Sequence, residues 1–235
     1  MRNIFTYEYK KIKQVSPYLP LMIVLTEIIF LLFFSIVIWL DGESTSVGDL
    51  TDVEFIITLV TTITFCVVVV YATYFMNKFL VSNYIGHAKE KTYSFPSGRT
   101  HMLTQKMSAF CYRMLATFVP LALLVSIVFI IFSQIVSLFN EVELLPVMLH
   151  LSMFMLIVSM LIITVVLLSI IAGLHYQSTN ISLITTVILV TILSNFVARS
   201  PMNIIFQIII VGLLVVINMM IFKYIQNKVK IDDVI

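Results

Sequence analysis

Residues 144–198 read LLPVMLHLSMFMLIVSMLIITVVLLSIIAGLHYQSTNISLITTVILVTILSNFVA, 55 positions without one Asp, Glu, Lys or Arg. A helix crossing a hydrocarbon core of about 30 Å needs about 20 residues. The block therefore holds two crossings. The polar turn Gly173-Leu174-His175-Tyr176-Gln177-Ser178-Thr179-Asn180 is its natural break. Working outward, residues 18–40 carry one charge, Glu27, and residues 55–77, 114–140 and 200–222 carry none. Six crossings follow, at about 18–40, 54–78, 107–134, 146–172, 181–198 and 202–224. The expected fold is an all-α integral membrane protein with six transmembrane helices, one transmembrane domain over 1–235.

Composition agrees. The chain is 60% hydrophobic and 11% charged, where a soluble domain has about 25% charged residues. A membrane β-barrel would show short alternating strands instead of continuous apolar runs. No connecting segment is long enough for a folded soluble domain. The net charge of +2 gives no reason to expect nucleic acid as a partner. Cys66 and Cys111 fall at different depths and are expected to be small buried hydrophobes without a disulfide. No cleavable signal peptide is expected, because the first apolar run is too long for an h-region.

The charges between the spans take sides. Arg2, Lys10, Lys11 and Lys13 precede span 1. Lys78, Lys89, Lys91, Arg99, Lys106 and Arg113 surround the second connection, and Lys223, Lys228 and Lys230 follow span 6. Thirteen of the fourteen basic residues thus share one side. The other side receives Arg199, with Asp41, Glu43, Asp49, Asp52, Glu54, Glu141 and Glu143. The positive-inside rule places both termini in the cytoplasm. Pro17 and Pro20, Pro146 and Pro201 open spans 1, 4 and 6, where a missing N–H is harmless. Pro120 lies inside span 3 and predicts a kink, as hinge or as packing feature. Span 5 is the shortest at about 27 Å, just enough to cross.

Three segments stand out. In residues 1–16, Ile4, Phe5, Tyr9, Ile12 and Val15 share one helical arc, with Lys10 and Lys13 outside it. This predicts an amphipathic helix on the inner membrane surface, near lipid headgroups. Glu8 falls inside the apolar arc and weakens the pattern. Residues 84–106 combine charges, aromatics and a break. A short helix over 84–95 is stopped by Pro96, Ser97 and Gly98 turn, and Thr100 begins the next helix. This segment is either a docking knob for a cytosolic partner or a solvated loop. Glu27 lies near mid-membrane, where an acidic group costs several kcal/mol unless paired, hydrated or protonated. Arg113 is the only other charge clearly within a span, so Glu27 is either functional or one half of a structural pair. No metal site is expected from His87, His101, His150 and His175, which are scattered. No phosphate-binding G-x-x-x-x-G-K-[ST] loop is present, so this chain does not hydrolyse ATP by that device.

The segment Glu90–Lys106 resembles the corresponding part of ABC-2 (type V) permeases, the membrane subunits of ATP-binding cassette exporters. Glu90 matches the acidic residue of their coupling helix. Tyr93-Ser94-Phe95-Pro96-Ser97-Gly98-Arg99 matches an aromatic–Pro–x–x–Arg stretch, and Lys106 matches a lysine at the mouth of span 3. The remaining likeness is topology: six spans, both ends inside, a connecting helix first. The resemblance implies that Glu90, Tyr93, Pro96, Arg99 and Lys106 couple to a cytosolic ATPase subunit in two copies, which binds ATP and Mg. It implies no cofactor in this chain, a second permease chain, identical or homologous, and a bacterial cell membrane location. One departure is the short link between spans 5 and 6, Ala198-Arg199-Ser200-Pro201-Met202, where relatives carry re-entrant helices. Small permeases of this kind export amphipathic peptides, as in lantibiotic immunity and phenol-soluble modulin export. An amphipathic peptide or lipid-like substrate is thus implied. The rival readings are a non-transporting membrane scaffold or sensor and an intramembrane enzyme. Glu27 with Arg113 is too sparse for the enzyme, which would need clustered groups at one depth.

Overall fold

The computed structural model describes residues 2–41, 53–85, 99–135, 144–198 and 204–231. Among them lie seven α-helices: α1 (Arg2–Val15), α2 (Leu19–Asp41), α3 (Val53–Phe79), α4 (Arg99–Ile135), α5 (Leu144–His175), α6 (Thr179–Ala198) and α7 (Ile204–Ile231). A 3-10 turn, Val81–Asn83, follows α3. Helices α2 to α7 are long and apolar enough to cross a membrane, with mean hydropathies from 2.2 to 3.0. The six expected spans are therefore present, and the protein is an all-helical multi-pass membrane protein. Several helices outrun their hydrocarbon segments. The helix expected over about 107–134 runs from Arg99 to Ile135, and its polar first turns extend past the apolar stretch.

Local chemistry sets the ends. Pro20 and Pro146 sit in the first turns of α2 and α5, where no intrahelical donor is lost. Helix α3 has Glu54 in its first turn and Lys78 in its last, both favourable to the helix dipole. Pro120 lies inside α4 without ending it. Between α5 and α6, Gln177 takes a left-handed φ of 49°, and Ser178 N–H donates to the Gly173 carbonyl at 3.0 Å. That bond is the 6→1 closure of a Schellman cap. The expected polar turn is thus one tight reversal.

Helix α5 is the hub. It packs against α3, α4, α6 and α7, and 78% of its apolar window is buried, against 22% for α2, 22% for α6 and 11% for α7. The three outer helices show Leu, Ile and Phe side chains outward. In lipid such faces are solvated, so helix association depends on packing and interhelical hydrogen bonds. Both occur where α3, α5 and α6 meet. Thr186 Oγ1 lies 3.0 Å from Thr73 Oγ1, 2.7 Å from Ser169 Oγ and 2.9 Å from the Ser182 carbonyl. Gly173 supplies the close approach: a Cβ there would stand 3.0 Å from Ser182 Cβ and 3.2 Å from Val81 Cγ1.

Successive helices alternate in direction. Asn77 Nδ2 donates to the Thr179 carbonyl at 3.2 Å, and Gln226 Nε2 donates to Thr104 Oγ1 at 3.0 Å. Lys228 Nζ donates to His175 Nδ1 at 3.0 Å. The ends of α3, α5 and α7 and the starts of α4 and α6 therefore share one end of the bundle. Helix α6 leads away from that end and α7 returns to it. Helix α1 packs there too, with Tyr112 edge-on to Phe5 and Tyr9 at centroid distances of 6.2 and 5.5 Å. We call this the basic end, since Lys11, Lys78, Lys106, Lys223 and Lys228 all belong to it.

Candidate functional site

The basic end contains a buried charged cluster built from three elements. Helix α1 turns Ile12 and Glu8 inward, while Lys10, Lys11 and Lys13 stay exposed. Glu8 is only 2% exposed, and its Oε2 has no hydrogen-bond partner. Lys106, two turns into α4, is 4% exposed. Its ammonium lies 5.2 Å from the Phe79 ring centroid at the end of α3 and 5.9 Å from that of Tyr84. Both distances suit cation–π attraction. The Glu8 carboxylate lies near enough to attract the ammonium but makes no hydrogen bond or ion pair with it, and the Lys11 ammonium opposes that attraction. Lys11 Nζ itself stands 6.0 Å from the Phe79 ring. Lys106 thus ties α1, the end of α3 and the start of α4 into one clasp.

The clasp has a positional consequence. Tyr84 is close to where the described part of the α3–α4 connection stops, and Arg99 is where α4 begins. The two stems of that connection are therefore joined through Lys106. Glu90, Tyr93 and Pro96 lie outside the described residues, as does most of the expected short helix over 84–95. Just before that segment Val81–Asn83 forms the 3-10 turn, and its first two residues, 84–85, form a bend rather than helix. Arg99 opens α4, one residue earlier than the Thr100 start expected from sequence.

Glu27 is fully buried on α2, and neither carboxylate oxygen has a hydrogen-bond partner. Thr64 and Thr61 of α3 are its polar neighbours, yet they do not reach hydrogen-bond geometry with it. Thr61 Oγ1 instead lies 4.0 Å from Met155 Sδ. Arg113 is half-buried on α4, and its Nε also has no partner. The two intramembrane charges are therefore not joined by a hydrogen bond, and the structural-pair alternative for Glu27 is not what is observed. Cys66 and Cys111 are free thiols, and both are half-buried where buried side chains were expected. Among the described residues no three His, Cys, Asp or Glu side chains converge on one point.

Sequence reasoning reached Lys106, Glu27 and Arg113 but missed Glu8 and Phe79. Glu8 looked like a flaw in an apolar arc. That flaw was the usable signal, since a carboxylate on a buried face calls for a cation on the helix it meets. Phe79 carried no signal, because aromatic residues are common where spans end. Compared with protein-family models, curated proteins and solved structures, the chain matches none.

Proposed function

We propose that this chain is the membrane-spanning permease subunit of an ATP-driven exporter of the ABC-2 class. It moves amphipathic or antimicrobial peptides out of the cytoplasm or the inner leaflet. The basic end faces the cytoplasm, as the positive-inside rule requires, and α1 lies along the inner membrane surface. Two copies of a separate cytosolic ATPase supply ATP hydrolysis, and a second permease chain completes the path.

The observation that carries this reading is the Lys106 clasp. A docking segment transmits force only if its roots are rigid. Here one root, Tyr84, and the helix leaving the other, α4, meet on one buried ammonium. A push on residues 86–98 would then move α3, α4 and α1 together. The Glu90 and Pro96–Arg99 pattern supplies the charged docking surface, with electrostatics giving it specificity.

The test is composition. Native mass spectrometry of the complex, gently solubilised after co-expression with its neighbouring reading frames, should show two permease chains with two copies of a phosphate-loop protein. A lone monomer in repeated mild preparations, or a partner without a nucleotide site, would support the scaffold reading instead.

A further inference from the structure

We propose that the groove between α4, α5 and α7 is a binding site for an anionic phospholipid of the leaflet at the basic end. The groove has a volume of about 380 Å³, within the range of roughly 300–1,000 Å³ typical of ligand pockets. Its walls are apolar: Leu115 from α4, Ile163 and Leu167 from α5, Val215, Met219 and Phe222 from α7. Polar groups are few and graded. Asn218 is already engaged, lying 3.1 Å from Thr164 Oγ1 and donating to the Met160 carbonyl at 3.3 Å. Gln226 is tied to Thr104. The cation left at the mouth is Lys223, which is exposed and has no acidic partner among the described residues.

Length and charge select the occupant. From Val215 to Gln226 the helix rises about 16 Å at 1.5 Å per residue. Half of a hydrocarbon core of about 30 Å is about 15 Å. The groove thus spans one leaflet, with its cationic mouth at headgroup level and its apolar floor at the midplane. A phospholipid acyl chain fills that shape, and a phosphate meets Lys223 as basic sites between spans meet anionic headgroups. A cationic peptide would meet the wrong charge at the mouth. This inference rests on the six-helix bundle and not on the exporter reading.

The experiment is lipid titration of the purified full-length chain, followed by native mass spectrometry. Phosphatidylglycerol and phosphatidylcholine with identical acyl chains are compared. One phosphatidylglycerol per chain should be retained about fivefold more tightly than phosphatidylcholine, the worth of one lysine beside an anionic headgroup. Lys223→Gln should abolish that preference and leave phosphatidylcholine retention unchanged. Met219→Trp, at a lipid-exposed position where a larger ring is tolerated, should fill the groove and weaken both lipids. Equal retention of the two lipids by the wild type, or a preference that survives Lys223→Gln, overturns the headgroup assignment. Retention untouched by Met219→Trp puts the lipid elsewhere and overturns the groove. Displacement of bound phosphatidylglycerol by an added amphipathic helical peptide at equimolar ratio would assign the groove to peptide and overturn the proposal.

Discussion

Removing either side of the Glu8–Lys106 clasp should destabilise the protein more than removing both. Glu8 and Lys106 are 2% and 4% exposed, so neither charge recovers its hydration when its partner is lost. Breaking a buried pair from one side costs about 3–5 kcal/mol, whereas replacing both members with apolar side chains is often neutral. We take the lower end, about 3 kcal/mol, because the two charges attract through space without a hydrogen bond, the cluster lies at the end of the bundle, and the Phe79 and Tyr84 rings still face the ammonium. Glu8→Leu leaves the ammonium against two rings and the opposing Lys11. Lys106→Met leaves a buried carboxylate. Glu8→Leu with Lys106→Met removes both charges and keeps the volume, and should fall within about 1 kcal/mol of wild type. At roughly 2–4 °C per kcal/mol for a chain of this size, each single variant melts about 6–12 °C lower. The double variant should melt within about 4 °C of wild type. Thermal unfolding in detergent micelles reads all four proteins, and added salt should leave the pattern intact because buried pairs are weakly screened. Additive losses in the double variant, or single losses under about 0.5 kcal/mol, would refute the clasp.

Three further outcomes are expected. Glu27→Leu should raise stability by roughly 1–3 kcal/mol, because it removes a buried carboxylate without hydrogen-bond partners. Its effect should add to that of Arg113→Gln within about 0.5 kcal/mol; strong coupling in the melting temperatures would show a pair after all. Gly173→Ala should lower stability by about 1–3 kcal/mol, since the new Cβ meets a Cβ of α6 at 3.0 Å that cannot rotate away; an unchanged melting temperature would show that the α5–α6 contact is loose. In a background lacking Cys66 and Cys111, cysteines at Ser178 and Asn227 should react with an impermeant maleimide only after permeabilisation, and one at Asn140 from outside. External labelling at Asn227 would reverse the α7 orientation.

The spans were legible because charge is so costly in hydrocarbon that its absence over 20 residues has few other causes. Helix ends were less legible. Past the membrane surface a polar residue no longer argues against helix, so α4 starts at Arg99 and α7 runs to Ile231. The site was legible only in part. Lys106 stood out by resemblance, but its acidic neighbour Glu8 lies 98 positions away, and no periodicity links two helices. Glu27 and Arg113 invited pairing because both are charged and embedded. Depth in the membrane says nothing about which helix face each occupies. The hydroxyl cluster of Thr73, Ser169 and Thr186 left no mark, since serine and threonine are ordinary in spans and only the packing brings these three together.

ATP-driven movement is the most direct test of the account. Inside-out vesicles carrying this chain and the proposed cytosolic ATPase are given a fluorescent amphipathic helical peptide. Peptide should accumulate in the lumen on addition of ATP and Mg, not with a non-hydrolysable analogue, and accumulation should be lost in Arg99→Glu while the chain still inserts. A complex that forms normally yet moves no amphipathic peptide or lipid-like probe with ATP, or moves it equally without ATP, would contradict the exporter and favour a scaffold.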